Sequence, residues 1–331
     1  MSQKETTMAD TDITEIKSKL DILWNSVAEF RSSNNFMRIL NACKRLRTLA
    51  PYNAMIVDMQ RPGAQYVQTP IQWKKEYGRE IKLDANPLII LVPFGPVEYV
   101  FDIGDTKPSS DSKIHFQPSV QNILNQIAEP YKTSGRIPIR ELDLLKYNLQ
   151  FHGIALNENF QTGADYAAKI QLIGNLEDII VNINRGNKIR WKPPYQISVK
   201  SGSEPGQEFA SICHELGHLF CHHLPMPAVW GEKEWKVRQL EHRWEEFEAE
   251  SVAWLVCERL GIDNPSKNYL AKYMPTNGSP FFINKHVSIE NILTATHEVE
   301  KLLTPINYRD GLLYKHCKNF QQAVQDVLKK K

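Results

Sequence analysis

The run "SICHELGHLFCHHL" at residues 211–224 constrains the fold more than any other stretch, because its chemistry works in only one conformation. Within it, His214 and His218 stand four residues apart in the pattern His-Glu-x-x-His. On an α-helix that spacing leaves the two side chains about 40° apart around the axis, so both imidazoles can meet one ion. Glu215 falls on the neighbouring face, where it can reach a water held by that ion. The run therefore predicts a helix that begins near Glu204 or Gln207 and stops around Pro225 and Pro227.

A catalytic zinc takes three protein ligands and leaves its fourth position to water. His222 cannot be the third, because about 12 Å of helix rise separates it from His214. The longer pattern His-Glu-x-x-His-x-x-Gly-x-x-His fails as well: Cys221 stands at its glycine position and Leu224 at its last histidine. The glutamate-rich stretch "EHRWEEFEAESVAWLVCERLG", closed by Gly261, supplies Glu245, Glu246, Glu248 and Glu250. Helical spacing puts Glu246, Ala249, Glu250, Ala253 and Cys257 on one stripe, whose small residues allow close helix–helix approach. Glu245 and Glu248 lie on other stripes and are expected to face solvent. Glu246 is then the expected third ligand, with Glu250 holding a ligand histidine through its other ring nitrogen. Glu250 as the ligand is the alternative. Zinc acidifies water, so Glu215 is expected to be the general base and, later, the proton donor to a leaving amine. His222, His223, His242 and Tyr269 are the donors available to an oxyanion, and the sequence does not choose among them.

Organisation along the chain points to an α+β fold in two parts. Helical periodicity at Ile13–Phe30 and Phe36–Leu49 gives way to short β-rich runs, "QYVQTPIQW", "PLIILVPF" and "VEYVFDIG", with a turn at "FGP". The polar "GDTKPSSDSK" reads as a linker, which places a small α+β domain at 12–110 and a second domain at 111–331. In the second, "YQISVKS" alternates as a strand, and 288–303 carries an amphipathic stripe of Ile289, Ile292, Leu293, Val299 and Leu302. Over 331 residues the net charge is only +2, which argues against a polybasic nucleic-acid binder as a whole. Residues 29–107 are mildly basic, with eleven Lys or Arg against eight Asp or Glu. There Lys44, Arg45 and Arg47, with Trp73, Lys74, Lys75 and Arg79, combine cationic and aromatic side chains as single-strand binding surfaces do. No apolar run approaches the roughly 18 residues of a membrane span. The polar start has no signal-peptide pattern, and the five scattered cysteines suit reduced thiols, so a cytoplasmic location is expected. Cys213 and Cys221 are expected to pack as small apolar residues.

"FASICHELGHLF" followed by "EEFEAESVAWLVCERLGI" resembles the ImmA/IrrE-type zinc metallopeptidases, and the peptidase half of ArdC-type antirestriction proteins more closely. "EFEAE" at 246–250 matches the family's E-x-x-A-E, and "NYLAKYM" and the 288–303 helix sit where the family has its closing helices. "PYNAMIVDMQ", "TPIQWKKEYGREI" and "YVFDIGDTK" resemble the ArdC-type single-strand DNA-binding domain. The resemblance implies a zincin-like, gluzincin-type domain, mostly helical with a small sheet, that cleaves a protein substrate such as a DNA-bound regulator. The competing reading is a single-strand DNA-binding or antirestriction module whose zinc site is structural or weakly active. Glu215 separates the two, since a purely structural site gains nothing from it.

Overall fold

The computed structural model describes residues 33–92, 97–110, 118–128, 139–160, 167–174, 176–184, 186–230, 237–262 and 287–329. The expected helix at 13–30, the turn at 94–96, "NYLAKYM" and Tyr269 lie outside these residues. The described chain divides into two compact units, 33–124 and 125–262 with 287–329. Both mix helices with small separate sheets. No described helix is long and apolar enough to cross a membrane.

In the first unit, helices α1 (Ser33–Arg45) and α2 (Pro51–Gln60) precede strands β1 (Val67–Gln68), β2 (Arg79–Ile81), β3 (Leu88–Ile90), β4 (Glu98–Asp102) and β5 (Thr106–Pro108). Antiparallel pairing gives a β1-β4-β3 sheet and a β2-β5 ladder. The β-rich reading of "QYVQTPIQW" is corrected here. Only Val67–Gln68 is extended, and helix α3 occupies Pro70–Tyr77. Thr69 and Gln72 form a reciprocal capping box, Pro70 sits in the first helical turn, and left-handed Gly78 (φ 61°) ends the helix. These local signals outweigh the β preference of the neighbouring residues. Helix α4 (Val120–Ala128) follows.

The second unit sets α6 (Pro205–Phe220) between a sheet and two more helices. The sheet has the order β6-β10-β7, with β10 (Tyr195–Lys200) parallel to β6 (Ile154–Phe160) and antiparallel to β7 (Ala168–Leu172). A hairpin of β8 (Ile179–Asn184) and β9 (Asn187–Trp191) pairs separately. Helix α5 (Ile139–Asn148) is fastened by Lys146, whose Nζ lies 2.7 Å from both Glu158 of β6 and Glu208 of α6. Helix α6 buries Phe209, Ile212, Cys213, Leu216 and Leu219, and α7 (His242–Leu260) packs against it. Helix α7 is buried on nearly all sides from Trp244 to Arg259, which suits a central helix. Helix α8 (Ile289–Lys301), capped by Ser288, packs on both, and α9 (Leu312–His316) and α10 (Lys318–Lys329) follow. All five cysteines are buried and none forms a disulfide.

Candidate metal centre

The closeness of α6 and α7 has a local cause in the glycine of His-Glu-Leu-Gly-His. A Cβ on Gly217 would lie 2.9 Å from Ala249 Cα and 3.0 Å from its carbonyl oxygen, so only glycine permits this approach. The approach carries Glu246, one turn before Ala249, and Glu250, directly after it, onto the histidines. His214 Nε2 and His218 Nε2 stand 3.2 Å apart. Glu246 Oε2 is 3.3 Å from the first and its Oε1 3.3 Å from the second. Tetrahedral zinc with bonds of roughly 2.0–2.1 Å places neighbouring donors about 3.3–3.4 Å apart, and these contacts, made to the two histidines by different oxygens of Glu246, are of that size. The three residues form one of two groups among the described residues that can hold a metal.

The electrostatics favour positive charge where these donors converge. Burial opposes a charged His214, but the carboxylates of Glu246 and Glu250 outweigh it and push the ring up to about 10. Burial would raise Glu246, yet His214 and His218 hold it well below the usual carboxylate range. Glu250 Oε2 lies 2.9 Å from His214 Nδ1, so Glu246 faces the nitrogen aimed at the centre and Glu250 the outer one. The third carboxylate of the constellation, Glu215, accepts a 2.8 Å hydrogen bond from the Ile170 backbone N–H of β7. Burial raises its pKa, against the lowering pull of His214, His218 and that N–H.

Glu248 departs from its expected place in solvent. It is fully buried, because α7 is covered all round rather than along one stripe. Arg238 grips both its oxygens, Ser288 N donates to Oε1 at 2.8 Å, and His223 Nε2 lies 2.9 Å from Oε2. The connection of this group to the site is not legible in the sequence, because it runs through a backbone feature. Helix α6 ends at Phe220, before the prolines, where His222 takes a left-handed φ of 62°. The chain then doubles back, His223 N bonds His218 O at 2.9 Å, and the two rings meet at 3.0 Å between their Nδ1 atoms. Of the other expected oxyanion donors, His222 is half-buried, while the side chain of His242 is 83% exposed with Nε2 3.7 Å from Glu246. Burial, then the nearby Glu248 charge, pushes the Cys221 thiol well above its ordinary pKa.

The first unit distributes its basic and aromatic residues differently from the expected binding surface. Trp73 is fully buried, donates to Phe101 O at 2.9 Å and packs edge-on against Tyr66, so it offers no face to a base. Arg79 is buried and bonds Thr106 Oγ1 at 2.6 Å and its carbonyl oxygen at 3.0 Å. Arg45 ties α1 to α2 through Asp58 at 2.6 Å. Lys44, Lys74 and Lys75 are exposed and Arg47 is half-buried.

Comparison of the chain with protein-family models, with curated proteins and with solved structures finds no match.

Proposed function

We propose that this chain is a zinc-dependent metalloendopeptidase of zincin-like, gluzincin-type architecture, with His214, His218 and Glu246 as ligands and Glu215 as general base. The observation that carries the reading is the spacing of 3.2–3.3 Å among the three ligand residues. When bound, zinc supplies Lewis acidity, acidifying water and polarising a peptide carbonyl.

The chain's own residues supply the rest. Ile170 N–H anchors Glu215 Oε2, which leaves Oε1 to take a proton from the attacking water. The same carboxyl then delivers that proton to the amine nitrogen as the peptide bond breaks. Burial that raises Glu215 makes it a stronger base for the first transfer. Glu250 fixes the His214 tautomer by accepting its Nδ1 proton, so Nε2 keeps its lone pair for the ion. Structural zinc sites close on four protein ligands, whereas this group has three among the described residues.

The test is incubation of the zinc-loaded full chain with a degenerate peptide library, followed by mass spectrometry of the new termini. Wild-type protein should cut, and Glu215→Gln, which preserves shape and ligands, should lose roughly 10² to 10⁴-fold of the rate. Equal cutting by both proteins rejects the mechanism.

A further inference from the structure

The two ligand histidines are supported unequally. His214 meets a carboxylate directly, through Glu250. Among the described residues, the outer nitrogen of His218 meets no carboxylate directly; it meets His223, which meets Glu248. We infer that His223 and Glu248 are a positioning pair for His218, a carboxylate arm that reaches a metal ligand through a second imidazole. This inference rests on the reading of His214, His218 and Glu246 as the metal ligands.

Proton accounting allows one arrangement. With His218 Nε2 turned to the ion, its single ring proton sits on Nδ1 and donates to His223 Nδ1 at 3.0 Å. A nitrogen that accepts carries no proton, so the His223 proton sits on Nε2 and donates to Glu248 Oε2 at 2.9 Å. Glu248 is fixed in turn by the Arg238 guanidinium on both oxygens and by the Ser288 backbone N–H at 2.8 Å. The arm therefore joins the turn after α6, the middle of α7 and the first residue before α8. His223 is 8% and Glu248 0% exposed, so water does not compete for these bonds.

Cys221, His223 and Glu248 are also close enough together to suggest a second metal site. The contacts argue otherwise. Arg238 already neutralises Glu248 with a two-pronged grip, and both nitrogens of His223 are engaged. A cation there would have to expel a guanidinium from a buried carboxylate, which is costly.

The experiment is competition for zinc between a chromogenic chelator and the full chain, as wild type, His223→Leu and His223→Asn. Leucine cannot accept the His218 proton, whereas the asparagine Oδ1 stands near the ring Nδ1 position and can. His223→Leu should bind zinc about 10 to 100-fold more weakly, the usual effect of removing an outer partner of a ligand. His223→Asn should recover only part of that loss, because it restores the acceptor for the His218 proton but not the bond that ties this position to Glu248. ¹⁵N-histidine spectra of zinc-loaded wild type add a readout that needs no substitution, with the proton expected on Nδ1 of His218 and Nε2 of His223. Wild-type affinity in His223→Leu, equal losses in both variants, or the opposite tautomer at His223 would overturn the positioning role. A second zinc per chain lost from both variants would overturn it in favour of the Cys221, His223 and Glu248 site. Failure of the wild type to bind zinc would instead remove the metal-centre reading beneath it.

Discussion

In the second unit, residues that helical spacing places on one face converge on a point: His214, His218 and Glu246 present donors 3.2–3.3 Å apart. In the first unit, of the residues that composition groups into a binding surface, Trp73 and Arg79 are absorbed into the interior while Lys44, Lys74 and Lys75 stay exposed. The difference lies in what each inference used. A metal site restricts residue type, spacing and backbone conformation together, so its geometry follows from the sequence once the helix forms. A basic and aromatic patch restricts only residue type, and a buried indole serves packing as well as an exposed one serves stacking.

That contrast can be broken from either side. The largest effect is expected at Trp73, where Trp73→Ala should cost roughly 3–5 kcal/mol in denaturant unfolding, as large core truncations do. A Trp73→Ala protein of unchanged stability that no longer bound single-stranded oligonucleotides would restore the surface reading. Next, Gly217→Ala forces a methyl group into the Ala249 backbone. It should cost about 1–3 kcal/mol by overpacking, with zinc affinity falling alongside as the helices part. Unchanged affinity and stability would show that the close approach is not what brings the ligands together. Glu250→Ala should weaken zinc binding by about 10 to 100-fold in chelator competition, less than the loss of a direct ligand. Zinc lost more readily from Glu250→Ala than from Glu246→Ala would exchange the roles of these two glutamates. The smallest effect belongs to exposed Lys74 and Lys75, whose joint replacement by Ala should change stability by less than about 0.5 kcal/mol. Any single-strand binding that these lysines support should show a salt slope reduced by about 0.7 per lysine removed.

Much of the second unit is legible in the sequence. The two motif helices, strand β10 and the capped helix at Ile289–Lys301 follow from periodicity, prolines and Gly261, which is left-handed at φ 72°. The placement of Glu246 and Glu250 follows from the stripe of small residues. Glu248 does not, because a single amphipathic stripe is the wrong pattern for a helix buried on all sides. The role of His223 depends on the left-handed turn at His222, a conformation uncommon for any residue but glycine and one that no local pattern announces. In the first unit the signal for α3 was present in "TPIQ", where threonine, proline and glutamine occupy cap, first-turn and capping-box positions.

The metal centre is tested most directly by equilibrium dialysis of the full chain and of Glu246→Ala against zinc, with bound metal quantified. The wild type should hold one zinc per chain, and Glu246→Ala, reduced from three protein ligands to two, should lose most of it under mild chelation. No zinc on the wild type, or one zinc per chain held as tightly by Glu246→Ala, would contradict the assignment.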